Sequence, residues 1–132
     1  REISEIESIG DSCFNIARTL NRRFKGKEDF ITSQYEHMHQ MMELTDNALT
    51  QMNITLVGHK GDNDANLSFN IENEINNYRN QLKSQNINDV NNHLYTYAIG
   101  TMYMDIIQEC EKLGDYVVNV VEARMGVRQH EA

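Results

Sequence analysis

The chain has 132 residues, the length of one domain rather than two. Its 20 acidic side chains outnumber 12 basic ones, and a net charge of −8 excludes binding to bulk DNA or RNA by phosphate neutralisation. At 39% apolar and 24% charged residues the composition is too apolar for a disordered chain, and no apolar run reaches the roughly 18 residues that a membrane-spanning helix needs.

Proline is absent, so nothing interrupts long helices. Apolar residues recur at steps of three and four along most of the chain, and no useful stretch alternates as a strand would. The first predicted helix covers about 3–24, with Ile3, Ile6, Gly10, Cys13, Ala17, Leu20 and Phe24 as its stripe and Gly26 as its C-cap. The second starts near Asp29, a candidate N-cap, and runs to about Leu56 along Ile31, Tyr35, Met38, Met42, Thr45, Leu49 and Met52. The segment Gly58–Asp64 reads as a loop. A third helix follows over about 66–83, carrying Ile71, Ile75, Tyr78 and Leu82, and then a polar break over 85–89. The fourth covers about 90–125 with Ile99, Tyr103, Ile106, Cys110, Leu113, Val117 and Val120, closed by Gly126. Four long amphipathic helices with short connections predict an all-α, antiparallel, up-down four-helix bundle.

Two stretches of the chain share one motif. Residues 7–18 read ESIGDSCFNIAR and residues 111–122 read EKLGDYVVNVVE. In the first, Glu7, Asp11 and Asn15 stand at i, i+4 and i+8 and share a helix face; Glu111, Asp115 and Asn119 do the same in the second. Carboxylates one turn apart repel, so a sequence that builds such a ladder twice calls for a bound cation or a basic partner. Each copy also places a glycine inside the helix, Gly10 and Gly114, at a cost of about 1 kcal/mol relative to alanine that close approach of a neighbour can offset.

Other constellations carry less. Cys13 and Cys110 belong to no Cys-x-x-Cys pair, and their place on apolar stripes predicts buried free thiols in a reducing compartment. Glu36 and His39 have the Glu-x-x-His spacing of di-iron bundles, but no second such pair exists, so a surface histidine is expected. His37 faces elsewhere, and His59, His93 and His130 sit in or near loops. Phosphate-binding glycine loops, dinucleotide fingerprints and Ser- or Cys-based nucleophile motifs are missing, so the sequence supports no enzymatic activity.

The repeated Glu-x-[Ile/Leu]-Gly-Asp-x-x-x-Asn-[Ile/Val] pattern resembles the third-helix signature of PhoU domains. The third and fourth helices, IENEINNYRNQL and YAIGTMYMDIIQECEKLGDYVVNVVEAR, are similar to the cytosolic C-terminal domain of bacterial sodium/phosphate cotransporters. The resemblance implies that residues 29–126 form one full three-helix repeat and residues 1–25 the last helix of a preceding one, which fits a chain that opens at Arg1 without a signal-peptide pattern. It also implies a regulatory domain on the cytoplasmic side of the inner membrane, acting on the transmembrane transporter domain of the same chain; a free-standing PhoU-like regulator of phosphate signalling is the alternative, and a di-iron carboxylate oxidoreductase a distant one. In that family paired acidic motifs from neighbouring helices bind iron or zinc clusters, which makes Glu7, Asp11, Glu72, Asn76, Glu111 and Asp115 the candidate ligands for iron, zinc or another divalent cation. Asn76 stands where the family pattern has Asp, one negative ligand fewer. The basic run Arg18, Arg22, Arg23, Lys25 and Lys27 fits contact with the transporter domain or the anionic inner leaflet, and equally fits the carboxyl end of a helix dipole. Self-association stays open.

Overall fold

A computed structural model describes residues 2–26, 28–57 and 62–125. The described residues form four α-helices and no strand: α1 (Glu2–Lys25), α2 (Thr32–Val57), α3 (Asp62–Asn91) and α4 (Tyr97–Met125). None of them is long and apolar enough to cross a membrane.

The start of α2 differs from expectation by two or three residues. Ile31, not Asp29, holds the capping position: its N–H donates to Gln34 Oε1 at 3.0 Å, the reciprocal half of a capping box. Asp29 lies two residues outside, accepting the Phe30 N–H at 2.7 Å and the Tyr35 hydroxyl.

The expected loop and the expected polar break are both partly wrong. Residues 62–64 already belong to α3, while 58–61 lie outside the described residues. Positions 85–89 continue α3 without interruption. Their polar side chains are engaged rather than idle: Gln85 donates to Asp89 one turn on at 2.9 Å, and Asn86 accepts the Tyr95 hydroxyl at 2.8 Å. The true stop comes later. The Leu94 N–H reaches back to the Asp89 carbonyl and the His93 N–H to that of Val90, a Schellman closure. His93 takes the left-handed position at φ 62°, where glycine is usual. Thr96 then caps α4, its hydroxyl accepting the Ile99 N–H at 3.2 Å, so α4 starts at Tyr97 rather than near Val90.

The fourth helix is the axis of the molecule. It packs against α1, α2 and α3, and α2 also packs against α3. Among the described residues the backbone of α1 approaches that of α4 alone, and α1 and α2 flank an apolar groove lined by Cys13, Ile16, Met42 and Leu49. All seven predicted stripe residues of α4 are buried, and Met104, Ile107, Val118 and Val121 are buried with them. A helix enclosed on three sides becomes apolar on nearly all of its circumference; each fully buried Val or Ile contributes about 1.5–3 kcal/mol.

The outer helices depart further from their predicted stripes. In α2 the buried residues are Gln34, Met38, Met41, Thr45, Ala48, Met52 and Thr55, whereas Tyr35 and Met42 are exposed. In α1 the buried positions are Ser12 and Thr19, with Ile9, Ile16 and Leu20 half-buried, and Cys13 and Ala17 exposed. The side chains of residues 2–6 are not among those described, nor are Gly10 and Phe24 as packing surfaces. Thr19 is buried at little cost because its hydroxyl donates to the Asn15 carbonyl of its own helix at 3.0 Å.

Candidate functional site

The second copy of the repeated motif meets α3 along a charged seam. On α3, Glu72, Ile75, Asn76 and Arg79 follow at helical spacing. Ile75 is fully buried and lies against Gly114: a Cβ at that glycine would stand 3.1 Å from Ile75 Cδ1. The helix-interior glycine thus lets α3 approach α4 closely, as its cost suggested. This closeness carries the polar groups on either side of Ile75 against the acidic ladder of α4.

Two contacts define the seam. Asp115 lies across the helix pair from Glu72, close enough to feel its charge. One turn away, Arg79 faces Glu111 with an N···O separation of 3.8 Å, their side chains 24% and 18% exposed. Burial first, and then the neighbouring Glu72, push Asp115 up to about 6, while Arg79 pulls the other way. Burial and the neighbouring Asp115 also raise Glu111, opposed by Arg79 and Lys112. One guanidinium therefore serves a seam with three carboxyls, and its own Nε is buried without a hydrogen-bond partner.

The six residues expected to hold a cation do not all come together. Glu72, Asn76, Glu111 and Asp115 are half-buried positions of the α3–α4 pair. Glu7 and Asp11 are exposed on α1. Among the described residues no group of three or more His, Cys, Asp or Glu side chains could hold a metal ion. The positive charge in the seam is that of Arg79, and no step through iron or zinc follows from this donor set. Sequence reasoning passed over Arg79; its place three residues beyond Asn76, on the same face, was the available signal.

The remaining candidates are scattered. Glu36 and His39 are exposed, and His39 pairs with Glu43 at 2.8 Å. His37 is half-buried, its Nδ1 3.1 Å from the Tyr103 hydroxyl. Cys110 is buried, and burial pushes its thiol up to about 11, but Cys13 is exposed, contrary to the paired burial expected; both are free thiols. Arg18 is exposed, while the side chains of Arg22, Arg23 and Lys25, together with Lys27, His59, Gly126 and His130, lie outside the described residues. Between α1 and α4, Asn15 approaches Glu109 at 3.5 Å, and Lys112 pairs with Glu109 at 3.2 Å.

No family model, no curated protein and no solved structure matches the chain.

Proposed function

We propose that the chain is a PhoU-like regulatory domain of a sodium-dependent phosphate cotransporter, lying on the cytoplasmic side of the membrane beside its transporter domain. The observation that carries this reading is the α3–α4 seam, where the second copy of the motif sets Glu111 and Asp115 against Glu72 with Arg79 as counter-charge. The contacts also support helices of alternating direction. His37 meets Tyr103 and Leu56 meets Arg124, so α2 follows α4 in sense. Arg79 meets Glu111 while the earlier Glu72 meets the later Asp115, so α3 opposes it.

The mechanism is a change in helix packing. A seam with more carboxyls than cations holds α3 and α4 together less firmly when all its carboxyls are ionised. A proton or a basic group from a partner strengthens it, and the domain passes that bias to the protein attached to it. Such a bias is limited to the differential binding energy of the two states.

Sodium-dependent phosphate uptake by cells carrying the whole protein tests the reading. Arg79→Met and Asp115→Asn should change uptake in opposite directions at equal amounts of protein in the membrane. Uptake indistinguishable from wild type in both variants contradicts it.

A further inference from the structure

Two thiols far apart in sequence share one small groove. Cys13 on α1 and Cys110 on α4 both line a cavity of about 220 Å³, walled by Ile16, Met42, Leu49 and Leu113. A contact beside them puts them level along the helix pair. Asn15 Nδ2 lies 3.5 Å from Glu109 Oε1, so α1 and α4 meet two residues from Cys13 and one from Cys110. Cys110 is buried and lies close enough to Cys13 to feel its charge. Packed helices bring facing Cα atoms to about 3.5–5.5 Å and flanking ones slightly farther. A disulfide spans roughly 4.4–6.8 Å between Cα atoms, which is the same range.

Packing alone does not call for sulfur at either place. The shared motif aligns Cys13 with Val117, and Cys110 with position 6, an isoleucine. Val117 is buried in α4. Aliphatic side chains therefore serve in the other copy where this pair has thiols, and both thiols open on the same groove.

We infer that Cys13 and Cys110 are a redox pair, which an oxidant of the peroxide class joins in a disulfide that ties α1 to α4. Peroxide oxidises the Cys13 thiol to a sulfenic acid and leaves as one water. The Cys110 sulfur then displaces the sulfenic hydroxyl, which departs with the Cys110 proton as a second water. Two thiols and one peroxide give one disulfide and two waters, and two electrons pass from sulfur to peroxide. Burial pushes the Cys110 thiol up to about 11, so it stays protonated at neutral pH and acts second, as the resolving thiol. In a reducing compartment the bond is transient, a response to oxidant rather than a permanent staple. The pair lies on two helices of this chain, so a helix laid over the rest of α1 leaves both sulfurs in place. The inference does not rest on the phosphate reading.

Stoichiometric hydrogen peroxide on the dilute, folded whole chain tests it, followed by intact mass and peptide mapping without reductant. The wild type should become lighter by two hydrogens, remain monomeric, keep its helical circular dichroism and yield one cross-linked peptide pair containing Cys13 and Cys110. The bond should form at least tenfold faster in buffer than in urea, where two thiols so distant in sequence rarely meet. It should raise the thermal midpoint by about 10 °C, reversibly on reduction. Cys13→Ser should leave Cys110 reduced, and Cys110→Ala should let Cys13 go on to sulfinic acid or to a disulfide between chains. A wild type whose thiols stay reduced, or that forms only Cys13–Cys13 dimers or Cys13 sulfinic acid, overturns the inference. A cross-link that forms no faster in buffer than in urea overturns it too, because the folded helices then do not hold the two sulfurs together.

Discussion

The chain sets the same Glu, Gly, Asp and Asn at the same spacing in two helices and uses them differently. On α4 the motif is enclosed: Gly114 admits Ile75, Asp115 lies near Glu72, and Glu111 faces Arg79. On α1 the motif turns its acidic pair outward, and its contact with the rest of the protein runs through Ser12, Ile16 and Thr19 on the opposite side. The same motif thus yields a half-buried charged junction in one place and a solvated face in the other. What decides between them is neighbouring surface, since α3 is available to α4 and no described helix is available to α1's outer side. A motif match alone does not reveal the state of its carboxyls.

Matched substitutions at equivalent positions should break this symmetry most clearly. Val118 is 7% exposed and Phe14 65%. Val118→Asp buries an unpaired charge and should cost more than about 3 kcal/mol, or prevent folding, whereas Phe14→Asp should stay within about 0.5 kcal/mol of wild type in urea titrations at low protein concentration. The next effect belongs to the seam. Arg79→Met leaves Glu72, Glu111 and Asp115 without their cation and should destabilise by about 2 kcal/mol at pH 7, less than a fully buried pair would lose because the side chains keep some solvent. The corresponding change on α1, Arg18→Met, should be close to neutral.

Packing at the start of α4 offers a third test. A Cβ on Gly100 would stand 2.9 Å from Val90 Cγ2 and 3.0 Å from Asn86 Oδ1. Val90 is stiff at χ1, and Asn86 is held by the Tyr95 hydroxyl. Gly100→Ala should therefore destabilise by about 1–2 kcal/mol in thermal or urea unfolding despite alanine's better helix propensity.

Asp115 gives the smallest effect and the one with a direction in pH. Its folded-state value of about 6 lies above the ordinary 3.8, so between those values the folded protein holds a proton that the unfolded chain has released. Its contribution therefore favours folding most below about pH 4, weakens as pH rises to about 6, and is flat above. Asp115→Asn should remove that slope and raise stability at pH 7 by on the order of 1 kcal/mol, a figure reduced for the solvent that reaches the group. Asp11→Asn, on the exposed copy, should change stability by less than about 0.5 kcal/mol.

The central helix was legible in the sequence because burial on three sides leaves a dense apolar pattern, and each of its seven predicted stripe residues is buried. The outer helices were harder to read. A stripe chosen by hydrophobicity picks Cys13 and Ala17 on α1, yet the buried positions facing α4 are Ser12 and Thr19, small residues of which Thr19 turns its hydroxyl to the Asn15 carbonyl. In α2 the predicted Met38, Thr45 and Met52 are buried, while Tyr35 and Met42 are exposed and Met41 takes the core position beside Met42. The polar segment 85–89 looked like a break because its residues are weak helix formers, but its side-chain bonds and the closure at His93 keep it helical. At the site, the sequence singled out Glu72 and Asp115 as cation ligands, and the structure places them near each other across α3 and α4. Arg79 was missed, because a search for ligands passes over a residue that supplies the positive charge itself.

Carbon-detected NMR titration of the Asp115 side-chain carboxyl, in wild type and in Arg79→Met, tests most directly the claim that the α4 copy is a proton-holding junction. A midpoint near 6 that moves upward when Arg79 is removed is the predicted result. A midpoint near the ordinary 3.8, or one indifferent to Arg79, would mean that the seam is open to water and that the two copies of the motif do not differ as described.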